Sequence, residues 1–500
     1  MIVGAAVALA LALQGCGSGR DKPKGALTEA LSYLPADTAA ALVTATDPDS
    51  GPVKKLDQIG SKFAGWDAFK EGLKREVRNQ GLDYDDEIAP QLGNPAALGL
   101  RRNGEAVGAI RVQDPGDLRK ALEKRVSGGL ATRLPDYRSA FVTRDNSQPR
   151  TGLPTGKASL RFTAVSQHDL VAAQSLSGLK VAIDSRANGR NLAHERVFAS
   201  SLAKLGADRL VRVVGDAQSL IESAGKVRAA RARKNKWIRA LGRLTAVMDV
   251  ESDAVSVRFR VTSDREKLSN ADLPIPPGPH SPFLHNPAAA TAVGILEPGR
   301  LARVMDAALP TTKLGVFGTV GKTFSDLRRL GVDPEKDLFG KMKSLSVAVF
   351  ASNQFSFVAP LEKGAAPGVE RALSAAKPFV RRLGTKDFPV TGVVKRGPLW
   401  LVSSGGLGIA AYGVEGDLLV GSAGLVATPR AAPDQQVEGV NGALVAKAQA
   451  SRLARALGPR LGVLGNALRV LSQLGDLTLG VRAETDALTG SGRLEIGKRG

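Results

Sequence analysis

The strongest constraint on this chain is an internal echo. The run Leu34-Pro35-Ala36-Asp37-Thr38-Ala39-Ala40-Ala41-Leu42-Val43 returns in outline, 250 positions on, as Leu284-His285-Asn286-Pro287-Ala288-Ala289-Ala290-Thr291-Ala292-Val293. At the same offset, Gly81-Leu82-Asp83-Tyr84-Asp85-Asp86-Glu87-Ile88 returns as Gly331-Val332-Asp333-Pro334-Glu335-Lys336-Asp337-Leu338. Further on the matches loosen: Asp169 against Asp417, Leu210-Val211 against Leu444-Val445, and Asp253-Ala254-Val255 against Asp486-Ala487-Leu488. The order is kept while the offset shrinks, which places one deletion in the second half. Ordered self-similarity is the mark of repeated structural units. The chain therefore reads as a tandem duplication, with repeats over 28–265 and 284–500. They are joined by a linker, 266–283, that contains the Pro-rich run Leu273 to Pro282.

Each repeat follows one coarse plan. An opening strand (Ala39–Thr44; Ala290–Leu296) leads into helices such as Pro52–Lys62, Phe69–Gln80 and Arg300–Ala308. Short alternating segments punctuated by Gly, Asp and Asn then predict a meander of strands. In the first half these are Leu98–Arg101, Val107–Val112, Leu160–Val165 and Leu170–Ala173. In the second they are Leu345–Phe350, Phe355–Pro360, Leu399–Val402, Ile409–Tyr412 and Leu418–Val420. Arg144 to Gly156 reads as an exposed loop. Leucines at 453, 457, 461, 464, 468 and 471 predict a helix within Arg452–Gln473. Two strands close each half: Thr245–Glu251 with Val255–Val261, and Leu477–Ala483 with Leu488–Ile496. The expected fold class is α+β: a tandem duplication of two similar domains, each an antiparallel sheet with helices packed on a face.

Composition supports folded cores built from aliphatic side chains, with 43% hydrophobic residues but only 4% aromatic. The net charge of +21 suits polyanionic partners: nucleic acid inside a cell, or anionic lipid and wall polymer outside it. The N-terminus selects the compartment. Ile2 to Leu13 is apolar but shorter than the ~20 residues that span a bilayer, and it has the length of a signal-peptide core. It runs into Leu13-Gln14-Gly15-Cys16, a pattern similar to the bacterial lipobox, although Gln14 is an unusual occupant of its position. That resemblance implies a signal peptide over 1–15, lipid attachment at Cys16, and a tether over 16–27. With Cys16 the single cysteine, no intrachain disulfide can form. The expected location is extracytoplasmic, on the outer face of the cell membrane.

The Leu34-Pro35-Ala36-Asp37-Thr38 opening, the Asp169-Leu170-Val171-Ala172-Ala173 strand and the Asn191-Leu192-Ala193…Phe198 helix start resemble domain-of-unknown-function family 3352. Its members are envelope proteins of high-GC Gram-positive bacteria. The resemblance spans most of the mature chain on soft, mostly structural motifs. It implies export and a membrane setting, and it supplies no activity.

Four features invite a chemical role. Asp83, Asp85, Asp86 and Glu87 could suggest calcium. Their echo at Asp333, Pro334, Glu335 and Asp337 reads instead as a helix start, with Asp as cap and acids in the first turn. Lys226, Arg228, Arg231, Arg233, Lys234, Lys236, Arg239 and Arg243 form the densest basic run, with Trp237, Ile238, Leu241 and Leu244 at helical spacing beside it. Such a helix is a candidate contact for anionic lipid; the plainer reading is a solvated helix packed on its own domain. Ser403 to Gly408 reads as a hairpin loop rather than a phosphate cradle. His168, His194, His280 and His285 show no metal-ligand spacing. No catalytic motif stands out, and no catalytic residue, metal or cofactor is expected.

Three functions follow. The first is a lipid-anchored envelope protein with a non-catalytic binding or scaffolding role, taking an apolar or anionic envelope ligand. Its partners would be the membrane, through the N-terminal lipid, and anionic lipids or wall polymers. The second is an envelope hydrolase with its active site assembled between the repeats. Nucleic-acid binding is the third; export opposes it, as does the lack of aromatics interleaved with the basic run.

Overall fold

The computed structural model describes residues 25–62, 66–146, 160–166, 168–223, 225–280, 282–286, 289–308, 315–351, 354–382, 389–424, 440–452, 474–484 and 486–496. Among these described residues the first half contributes ten strands: β1 (Thr38–Thr44), β2 (Ala96–Arg101), β3 (Ala106–Arg111), β4 (Ala131–Tyr137), β5 (Ala140–Asp145), β6 (Phe162–Val165), β7 (Asp169–Ala173), β8 (Val211–Asp216), β9 (Leu241–Val250) and β10 (Ala254–Ser263). The second contributes β11 (Thr291–Leu296), β12 (Ser344–Ala351), β13 (Gln354–Pro360), β14 (Gly392–Arg396), β15 (Leu399–Ser404), β16 (Leu407–Glu415), β17 (Leu418–Ala423), β18 (Leu444–Gln449), β19 (Leu474–Ala483) and β20 (Ala487–Ile496).

These strands pair antiparallel throughout. In space the first ten run β4-β5-β6-β7-β3-β2-β1-β8-β9-β10. The second ten run β14-β15-β16-β17-β13-β12-β11-β18-β19-β20, the same order. The two series meet where β10 pairs with β20, so one continuous sheet passes through both halves. That pairing is reciprocal. Ala254 faces Glu495 at one end, and Ala487 faces Thr262 at the other.

Successive side chains on a strand point to opposite faces, so one strand can serve two cores. On β1, Ala41 and Val43 join a cluster with Leu34, Val107, Val171 and Leu179, under helices Ala26–Ser32 and Leu176–Asn188. Leu42 between them joins Val53, Leu56, Ile59 and Trp66, under helix Gly51–Gly60. Helices therefore cover both faces of the first half's sheet, not one as expected. Helix Pro115–Ser127, absent from the sequence reading, adds Leu118 and Leu122 over Phe141 and Val165. It starts where Asp114 caps the Asp117 N–H and Pro115 occupies the first turn, where its missing N–H costs nothing.

Several expectations need correction. The Pro-rich connection 266–283 packs on the second half, with Leu273 and Ile275 buried against Ala443 and Ala483. Arg144 and Asp145 end strand β5 instead of opening a loop. Asp169 and Asp417 do not occupy the same place: Asp169 is buried in β7 opposite Arg111, while Asp417 lies in the exposed turn before β17. The helix start near Asn191 begins at Arg196; Asn191 instead bridges to Pro35, and the Leu192 N–H donates to the Leu34 carbonyl. The leucine-spaced segment 453–473 lies outside the described residues, as do Cys16 and the tether up to residue 24.

Candidate functional site at the junction

The acidic clusters act as caps. Asp83 Oδ1 accepts the N–H groups of Asp85 and Asp86, while Glu87 accepts the Asp83 N–H at 2.6 Å. In the second half Asp333 accepts from Glu335 and Lys336, while Asp337 accepts the Asp333 N–H at 2.7 Å. Each opens a short π-helix, Tyr84–Ile88 or Pro334–Leu338. Accepting the Asp86 N–H, the largest influence, holds the Asp83 carboxyl below its ordinary range. Among the described residues no group of three or more His, Cys, Asp or Glu is placed to hold a metal ion.

The basic run is not one amphipathic helix. It divides into Lys226–Ala232 and Lys236–Ala240, and the chain then enters β9, so Leu241 and Leu244 lie on a strand. Asn235 makes the break by capping the Ile238 N–H. Trp237 is half-buried and packs toward the cluster of Leu273 and Ile275. Arg233 donates to Gln218 at 3.1 Å and Glu222 at 2.7 Å, and Lys236 lies 3.8 Å from Asp272. Arg231, Lys234 and Arg239 are exposed. The side chains of Lys226 and Arg228 lie outside the described residues. Among the described side chains, Arg231, Lys234, Lys236 and Arg239 keep a cationic surface, while Arg233 is engaged by Gln218 and Glu222.

The hairpin read at Ser403 to Gly408 joins β15 to β16, with only Gly405 and Gly406 in the turn; Ser403 pairs with Gly408 and Ser404 with Leu407 as strand ends. One Ser–His pair does converge: His285 Nε2 lies 3.1 Å from Ser356 Oγ, and the His285 backbone N–H donates to Ser346 at 2.6 Å. Ser356 is 0% exposed and Ser346 1%, so no substrate can reach either hydroxyl. The pair binds the segment before β11 to the sheet beneath it. His194 faces Asn191 and His280 faces the Pro277 carbonyl, while His168 is exposed.

A larger feature lies where the halves join. A cavity of about 1210 Å³ is lined by Lys55, Arg209, Asp249, Glu251 and Arg258 from the first half and by Thr478, Ser491, Arg493 and Glu495 from the second. Asp249 takes Arg209 at 2.8 Å and Arg258 at 3.0 Å. Arg493 bonds Glu251 and reaches Asp253 at 3.0 Å. Beside the cleft, Arg260 mirrors this: it bonds Glu484 at 2.7 Å and Asp486 at 2.8 Å. Partial burial opposes ionisation of Glu484, but the Arg260 hydrogen bond and the Arg482 charge outweigh it and lower its pKa. Sequence reading missed these residues because each gains its partner only through folding: Asp249 meets Arg209 and Arg258 within the first half, while Arg260 and Arg493 find their acids across the junction. Their single advance signal was the match of Asp253 with Asp486.

The cleft is thus a polar trough whose charges are largely matched in pairs. Its central carboxylates are engaged by arginines, which leaves them poorly placed as general bases. Among the described residues no helix is long and apolar enough to cross a membrane. No family model matches the chain, and no curated protein matches it. Three crystal forms of the protein TP0453 are similar to part of it. Form III has 9% identity and a TM-score of 0.28, covering 48% of this chain and 82% of that one. Form IV has 9% identity and a TM-score of 0.28, covering 48% and 83%. Form I has 7% identity and a TM-score of 0.29, covering 48% and 80%.

Proposed function

We propose that this chain is an exported lipoprotein, anchored through Cys16, with a non-catalytic binding or scaffolding role at the outer face of the membrane. The observation that carries the binding role is the junction cleft, a polar cavity to which both halves contribute. Matched arginines and carboxylates suit a polar or charged envelope ligand that exchanges one partner of a pair. We also infer that the chain is a tandem duplication. The shared strand order, the mirrored π-helix caps and the reciprocal β10–β20 pairing support it. Exposed Arg231, Lys234 and Arg239 would add attraction to anionic lipid. The hydrolase alternative loses ground, because the cleft's central carboxylates are ion-paired and the Ser356–His285 pair is buried. Fractionation of cells making the Cys16→Ala chain, with labelled fatty acid, tests the anchor. The expected result is loss of both label and membrane partition; retention of both would overturn it.

A further inference from the structure

The two halves differ at one place where their frames agree. Cross-strand partners can be followed from the junction inward. From Phe259 the ladder passes through Ala246, Val213, Leu42 and Leu98 to Gly108. From Gly492 it passes through Leu479, Ala446, Val293 and Val347 to Phe357. Phe259 and Gly492 have the same spacing as Arg260 and Arg493, so Gly108 and Phe357 occupy the same place in the two sheets. Their next partners are Ala172 and Gly421.

In the second half this place is filled. Phe357 packs with Phe339, Met342, Val369 and Leu419, and its ring lies where a side chain on Gly421 would have to stand, 2.3 Å from the ideal Cβ. In the first half the ring is missing, and Ala89 replaces Phe339 at the head of the matching 3-10 helix. What remains is a pocket of about 220 Å³ walled by Ile88, Leu92, Leu98, Ile110, Leu118 and Leu170, with almost no polar surface. Gln91 is the polar side chain of that wall, and its Oε1 already accepts the Asp114 N–H at 2.8 Å, so a polar ligand atom would recover few of its water bonds there. An apolar cavity of roughly 150 Å³ stays dry and takes up benzene. Leu98, Ile110 and Leu170 are only partly covered, so the pocket opens outward.

We propose that the first half binds an acyl chain in this pocket, with the polar head left at the mouth, and that Phe357 closes the same site in the second half. This site is separate from the polar junction cleft and does not rest on the binding role proposed for it. The anchor is tested separately through Cys16, so either idea can fail alone.

The test titrates the delipidated full chain calorimetrically with octanoate and with dihexanoyl-phosphatidylglycerol. Saturable binding of one equivalent is expected. Octanoate alone would identify a free fatty acid as the source, and the phospholipid a membrane lipid. Gly108→Phe with Ala172→Gly imports the second half's filling and should weaken binding by about tenfold or more, at an unchanged or higher melting temperature. Should that variant fold poorly, a diazirine-bearing octanoate cross-linked to the unaltered chain serves instead, with label expected on peptides holding Leu98, Ile110 or Leu118. Absence of binding by both probes, unchanged affinity in a folded filled variant, or label confined elsewhere would overturn the proposal.

Discussion

Arg260 and Arg493 make the same clamp in opposite directions across the junction. Arg260 leaves β10 to hold Glu484 and Asp486, and Arg493 leaves β20 to hold Glu251 and Asp253. Each arginine stands seven positions after the aspartate of its own turn, and each grips the other half's turn. Reciprocal contact of this kind is what a two-fold symmetric dimer displays, here within one chain.

The clamps should therefore be equal in strength. Both arginines are more than a third exposed, so solvent screening limits each to roughly 0.5–1 kcal/mol. Arg260→Ala and Arg493→Ala are expected to lower stability by similar amounts, and the double variant by close to their sum, since they share no partner. Urea unfolding measures all three. A large difference between the single variants would mean that the reciprocity is geometric and not energetic.

Acid should weaken one clamp through Glu484, whose folded pKa is depressed below its ordinary 4.5. A depressed carboxylate contributes stability that is present above the unfolded value and lost as pH falls through the folded one. Stability should thus decline below about pH 4.5, and Arg260→Gln should flatten that decline. Denaturation midpoints across this range give the answer.

Tyr412 supplies the opposite limb. Burial alone raises its hydroxyl from 10.0 to about 12, and among the described residues the oxygen has no hydrogen-bond partner. Its stabilising contribution is complete below pH 10 and is lost as pH climbs toward about 12. Tyr412→Phe should remove this alkaline loss. At neutral pH it should leave stability unchanged or raise it by up to about 1 kcal/mol, because an unpaired buried hydroxyl is removed.

Within the basic run, charge and structure should separate. Reversing Arg231, Lys234 and Arg239 to Glu is expected to weaken binding to phosphatidylglycerol vesicles by about tenfold or more, and high salt should erase the difference. Thermal stability should barely change. Arg233→Ala should do the reverse, lowering the melting temperature by freeing Glu222 and Gln218 with little effect on vesicle binding. Vesicle co-sedimentation and thermal melts distinguish the two.

Much of the local structure was legible before any coordinates. The Asp83 and Asp333 caps depend on neighbours within four residues, so short-range chemistry decides them. The strands flanking Asp253 and Asp486 follow from alternation and a turn residue. The basic run misled because a helical period over charged residues cannot reveal that Leu241 will be drawn into a sheet beside β8 and β10. Helix Pro115–Ser127 escaped notice although its Asp-Pro start was in plain view.

What the sequence determined by itself was the parts: caps, turns and alternating strands. What only the tertiary structure decided was how the parts share surfaces. Strand β10 completes its ladder on β20, more than two hundred residues away, and only that pairing places Arg260 and Arg493 beside their acids. The same long-range register sets Gly108 against Phe357 as equals. The reason is physical: capping acts over a few bonds along the chain, whereas pairing and cavity shape depend on residues that meet only when the whole sheet has formed.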